Sequence, residues 1–135
     1  MKYICFGYLD VQQWSILSQS EQNDRFDACF TYDEGLKKDG HWVGGEGLQG
    51  PDTAVMVRLE QGKVSVTDGP YAETKELLGG LLILEARDLN HAIHLISNHP
   101  GLKMGPWEIR PAADLDKMIR ESEARRAKAK GKPAS

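Results

Sequence analysis

Chemistry-bearing side chains concentrate in one stretch, Thr67–Gly80, TDGPYAETKELLGG. Asp68–Gly69–Pro70 is a turn tripeptide: Asp bonds backbone amides, Gly accepts positive φ and Pro fixes the exit. Tyr71, Glu73, Thr74, Lys75 and Glu76 then place one aromatic and four polar groups in a short connector. A loop of this kind over a sheet can line a pocket. Asp68 or Glu73 would act there as acid or base, with Tyr71 and Lys75 as ligand contacts, Lys75 for an anion. The plain alternative is a structural turn whose polar groups satisfy one another and water, and spacing alone does not separate the two.

Other candidates lie apart from this loop. Asp33 falls on or beside the apolar stripe of a helix, four residues after Cys29 and three after Phe30. It sits at the edge of the stripe or faces a pocket, and the edge is the plainer reading. With His41, Asp68 and Glu73 it makes up the acid–base set available to the chain. Glu46, inside VGGEG at Val43–Gly47, is either a pocket acid for ligand contact or a solvent-facing strand residue. That glycine run is no dinucleotide fingerprint, because no helix opens after it. Its glycines suit a bulge or the close approach of another backbone. His91 and His94 are spaced i, i+3 with His99 beyond, but they lie off an apolar stripe and no Cys or carboxylate completes a tetrahedral set. No nucleophile elbow or phosphate loop is present. Neither a metal nor a cofactor is expected.

The elements that must position these groups follow from pattern. Lys2–Tyr8, KYICFGY, is a near-continuous apolar run and reads as a central strand buried on both faces. Asp10–Ser20 reads as a loop with a short helical turn. Ser20 or Ser18 can cap a helix to about Asp39, ended by Gly40, and Ser18 has Glu21 three residues on, the spacing of a capping box. Its core face should be Phe26, Cys29, Phe30 and Leu36. His41–Leu48 is extended. Thr53–Glu60 and Lys63–Thr67 form a hairpin over a two-residue Gln61–Gly62 turn. Gly79–Ala86 is a strongly apolar strand. Asp88 caps a helix, Leu89–Asn98, with stripe Leu89, Ala92, Ile93 and Ile96. Pro106–Arg110 is the last strand, and a charged helix covers roughly Asp114–Lys128.

The order β-α-β-(β-β)-β-α-β predicts an α+β fold of the ferredoxin-like, split β-α-β kind, with both helices on one face of an antiparallel sheet. The hairpin and the C-terminal helix are additions to it. Both faces of Gly79–Ala86 are apolar, so the open face needs cover. A second copy of the same sheet supplies it, giving a face-to-face homodimer.

Composition bounds the rest. A chain of 135 residues suits one main domain, residues 1–112, followed by a charged helix and basic tail, residues 113–135. Residues 1–116 carry 10 basic and 18 acidic side chains, and residues 117–135 carry 7 and 2. An acidic body argues against a broad nucleic-acid surface. The basic tail is a solvated helix end or a contact for nucleic acid or an acidic partner. No apolar run is long enough to span a bilayer and no signal-peptide pattern opens the chain, so no membrane contact and a cytoplasmic location are expected. Cys5 and Cys29 read as reduced, buried thiols.

TDGPYAETKELLGG, preceded by VGGEGL and followed by LILEARDLNHAIHL and by HPG…WEIRP, resembles the DGPF subgroup of the YCII-related family across roughly residues 2–111. Tyr71 stands where that subgroup has Phe. The resemblance implies a ferredoxin-like fold that dimerises through its sheets, a dimeric α/β barrel. It also implies a small-molecule-binding accessory or regulatory role, with extracytoplasmic-function sigma factors as possible partners. The wider family has a proposed His–Asp pair in a pocket, and at least one member is a dehydrochlorinase. Asp33 and His41 are the nearest candidates for such a pair. The alternative role is a small lyase or hydrolase without a cofactor, using an acid–base pair near the DGPY loop.

Overall fold

A computed structural model describes residues 1–69 and 75–131. Its elements are β1 (Lys2–Asp10), α1 (Val11–Ser15), α2 (Gln19–Lys38), β2 (Trp42–Gly47), β3 (Val55–Glu60), β4 (Lys63–Asp68), β5 (Glu76–Glu85), α3 (Leu89–Ser97), β6 (Trp107–Pro111) and α4 (Leu115–Gly131). The fold is α+β. Four strands form an antiparallel sheet in the order β2-β5-β1-β6, and β3-β4 form a separate two-stranded sheet.

The apolar run of β1 places it centrally, between β5 and β6, but only one of its faces is buried, not both as expected. Tyr3 and Cys5 point to one face with Leu82 and Leu84 of β5, and all four are buried. Leu36 of α2 and Ala92, Leu95 and Ile96 of α3 close over them to make the core. Ile4, Phe6 and Ile83 point to the other face and stay partly exposed.

Helix α2 starts where its capping box requires: the Ser18 hydroxyl accepts from the Glu21 amide, and the Glu21 carboxylate accepts from the Ser18 amide. Gly40, at φ 82°, follows its end. Its buried face differs from the expected stripe. Cys29 and Leu36 are buried, but Phe26 and Phe30 are exposed. Their rings stack with centroids 6.2 Å apart, and Trp14 meets Phe26 edge-on. On α3, Leu95 takes the buried place expected of Ile93, which is exposed with Leu89.

The hairpin turn places both Gln61 and Gly62 at positive φ, 50° and 79°, the pattern that matches strand twist in a two-residue loop. Among the described residues, no helix is long and apolar enough to cross a membrane.

Candidate functional site

Between α2 and the sheet lies a cavity of about 600 Å³. Helix α2 supplies one wall through Cys29, Phe30, Asp33 and Lys37, and glycines of β1, β2 and β5 are part of the wall opposite. The turn after α3 closes the deep end with His99 and Gly101, and Trp107 of β6 stands beside them.

Asp33 and His99 meet on this wall. Oδ1 of Asp33 lies 2.9 Å from Nε2 of His99, and the side chains are 15% and 3% exposed. Nδ1 of the same ring accepts a hydrogen bond from the Gly101 amide at 2.9 Å. Nδ1 therefore carries the lone pair, and Nε2 carries the hydrogen that it donates to Asp33. A neutral imidazole thus holds a carboxylate, and no ring nitrogen is left over. Among the described residues, the second oxygen of Asp33 has no hydrogen-bond partner.

The ring is fixed by packing as well. Tyr32 meets it edge-on at 5.1 Å between centroids, and Trp107 lies at 5.0 Å. The Tyr32 hydroxyl donates to the Leu95 carbonyl at 2.6 Å, tying α2 to α3. The Pro100–Lys103 turn brings His99 under α2: Pro100 stops α3 and a 3₁₀ turn bends the chain back. Gly101 is required there, because a Cβ would lie 2.9 Å from Nδ1 of His99 and 3.0 Å from the Trp107 ring. The indole N–H of Trp107 is buried without a partner among the described residues.

Electrostatic effects of Asp33 reach its neighbours. Burial, with the Asp33 charge adding to it, pushes the Cys29 thiol up to about 11. The same two causes raise Tyr32, burial first. At the cavity mouth the Tyr8 hydroxyl donates to Glu108 at 3.1 Å, a bond that raises the phenol pKa.

The candidates read from sequence are distributed unevenly around this geometry. Asp33 and Glu46 line the cavity, Glu46 from its exposed end. His41 does not line it. Its Nδ1 is 3.3 Å from the Glu85 carbonyl, and its ring meets His91 edge-on at 5.0 Å. The histidine beside Asp33 is His99, 66 residues away in sequence. Asp68 ends β4 opposite Val55 and is exposed. Lys75 precedes β5, where its carbonyl accepts from the Val11 amide at 3.0 Å. Neither is a cavity residue. Tyr71 and Glu73 lie outside the described residues. His99 enters the sequence reading only beside His91 and His94, and Lys37 not at all. The one available signal for His99 was its place before Pro100–Gly101, where an N-cap side chain can bond the turn.

The YCII-related domain model matches residues 1–116. The chain belongs to the YCII-related family. No curated protein matches it. Among solved structures, this YCII-related domain is similar to 5-chloro-2-hydroxyhydroquinone dehydrochlorinase from Burkholderia phenoliruptrix AC1100, in complex with 2,5-dihydroxybenzoquinone. The TM-score is 0.52 at 16% identity, over 84% of this chain and 94% of that one. At that identity the likeness establishes a shared fold, to which the α+β sheet and its helices conform.

Proposed function

We propose that this YCII-related domain is a small-molecule enzyme that removes a proton from its substrate through Asp33, with His99 positioning that carboxylate. The observation that carries the reading is the Asp33–His99 hydrogen bond on the wall of a cavity of small-molecule size, about 600 Å³. Since Gly101 occupies Nδ1 and Asp33 occupies Nε2, the free oxygen of Asp33 is the acceptor left for a substrate proton. The electron pair of the broken bond stays on the substrate and can expel a leaving group, which makes this a lyase-type elimination. Dehydrochlorination of a hydroxylated ring, the activity in the Burkholderia enzyme's name, is the form to test first.

Chloride release from 5-chloro-2-hydroxyhydroquinone and related halogenated hydroquinones should be measured for the natural chain and for Asp33→Asn. The variant keeps the size and the hydrogen bonds but loses the base, and should fall by roughly 10²–10⁴. Equal turnover by Asp33→Asn would exclude Asp33 as the base.

A second reading is a binding-only accessory or regulatory domain linked to an extracytoplasmic-function sigma factor. It is favoured by the occupied state of both His99 nitrogens, which leaves the ring no proton-transfer role. Capture of the cognate sigma factor by the purified chain tests it. In either role we propose a ferredoxin-like, face-to-face homodimer of the DGPF subgroup. The partly exposed Ile4, Phe6 and Ile83 on the open face of the sheet support that assembly.

A further inference from the structure

Lys37 lies one helical turn beyond Asp33 on α2, on the same face, and both line the cavity. Its ammonium sits 4.7 Å from the centroid of the Trp42 ring. Among the described residues Lys37 forms no ion pair. Its charge is therefore held by an aromatic face and not matched by a carboxylate. The ring is itself seated by a missing side chain. A Cβ on Gly45 would lie 2.7 Å from Trp42 and 2.9 Å from Leu82, so only glycine lets the indole lie against the sheet. Gly45, Trp42 and Lys37 form a stack that delivers one cation to the cavity.

The other charged lining groups are Asp33, Glu34 and Glu46. Asp33 is already bonded to His99, while Glu34, Glu46 and Lys37 itself stand exposed at the rim. Water screens all three rim charges alike at a distance, so the ammonium acts on a ligand only in direct contact with it. Lys37 is thus the cationic pole of the cavity among its described residues, one turn from the proposed base. Resting on the proton-abstraction reading above, we infer that the cavity takes a small planar substrate with an anionic or enolisable oxygen, bound with that oxygen at Lys37 and its acidic hydrogen at Asp33. Trp42, Phe30 and Trp107 line the cavity with aromatic surface against which it can pack. When Asp33 takes the proton, the electron pair left behind delocalises onto the oxygen as a phenolate or enolate, and the Lys37 ammonium faces that charge. The step moves one proton and no net electrons, so it needs no oxidant or reductant.

The test is isothermal titration with 2,5-dihydroxybenzoquinone, an anion at neutral pH, and with neutral 1,4-dihydroxybenzene. The anion should bind more tightly. Lys37→Met should weaken it by about tenfold or more, the size of a lost hydrogen bond to a charged group. Lys37→Arg should retain most of the affinity. Raising ionic strength should weaken the natural chain but not Lys37→Met. Asp33→Asn should bind the anion at least as well as the natural chain, since it removes a like charge. That result separates the two proposals: lost turnover in Asp33→Asn bears on the base, and lost affinity in Lys37→Met bears on the cation. Unchanged affinity in Lys37→Met, equal binding of the neutral ring, or no binding of the anion to the natural chain would overturn the inference and leave the base assignment standing.

Discussion

Gly101 is where fold and site meet, and replacing it with alanine tests the geometry directly. The added Cβ would lie 2.9 Å from Nδ1 of His99, 3.0 Å from a Trp107 ring carbon and 3.2 Å from Nε1 of Trp107. Carbon contacts need several tenths of an ångström more than that. Neither neighbour has room to give. His99 is held between Asp33 and the Gly101 amide. Trp107 is backed by Gly7, whose own Cβ would lie 2.8 Å from the indole. Overpacking of this kind costs about 1–3 kcal/mol. Alanine also restricts the unfolded chain, which offsets about 0.4–1 kcal/mol. A net loss near 1–2 kcal/mol should lower Tm by about 3–8 °C for a domain of this size.

Thermal melting followed by circular dichroism, at fixed protein concentration, gives the stability part. Nitrogen NMR of the imidazole gives the site part. In the natural chain His99 should show hydrogen on Nε2, and in Gly101→Ala that pattern should weaken as Nδ1 loses its donor. Gly44→Ala is the control, because a Cβ there meets nothing within 4 Å. If Gly101→Ala melts with the natural chain and keeps the same His99 tautomer, the reasoning about this turn is wrong.

Two further predictions follow from the same structure. Burial holds the Cys5 and Cys29 thiols up at about 11, against an unfolded value of 9.0. Between those values the unfolded chain releases protons that the folded chain keeps, so stability is complete below about pH 9 and falls as pH rises toward 11. The urea midpoint should drop across that window, and less steeply in a Cys5→Ala, Cys29→Ala chain. Equal slopes in the two proteins would refute it. Ser18→Ala removes the capping-box acceptor at the start of α2 and should cost about 1 kcal/mol, or about 4 °C in Tm. An unchanged melting curve would show that the cap contributes nothing.

Much of the architecture is legible in local pattern. The apolar runs of β1 and β5, the Ser18–Glu21 box, the Asp88 cap and the Gln61–Gly62 turn all depend on residues a few positions apart. Short-range sterics and hydrogen bonding decide them, so the chain alone carries the signal. Pattern was weaker at choosing faces. Phe26 and Phe30 fit a core stripe by spacing, yet they are exposed and line the cavity between α2 and the sheet. Periodicity reports that a helix has an apolar side, and not whether that side meets a core or a void.

The sequence by itself determined the family, the element order and the cap and hairpin-turn positions. The stretch read as the loop Thr67–Gly80 begins in β4 and ends in β5, and residues 70–74 of it lie outside the described residues. Only the tertiary structure decided which acid meets which histidine. Asp33 reads from sequence as the edge of a helix stripe and His99 as a residue beyond the His91–His94 pair, with nothing local to link them. Their hydrogen bond spans 66 residues and exists because α2 and the Pro100–Lys103 turn pack on the same face of the sheet. The same packing sets Lys37 over Trp42, through a strand glycine that pattern alone could read only as a place of close approach. Pairings of this kind depend on distances across the fold, and no spacing along the chain encodes them.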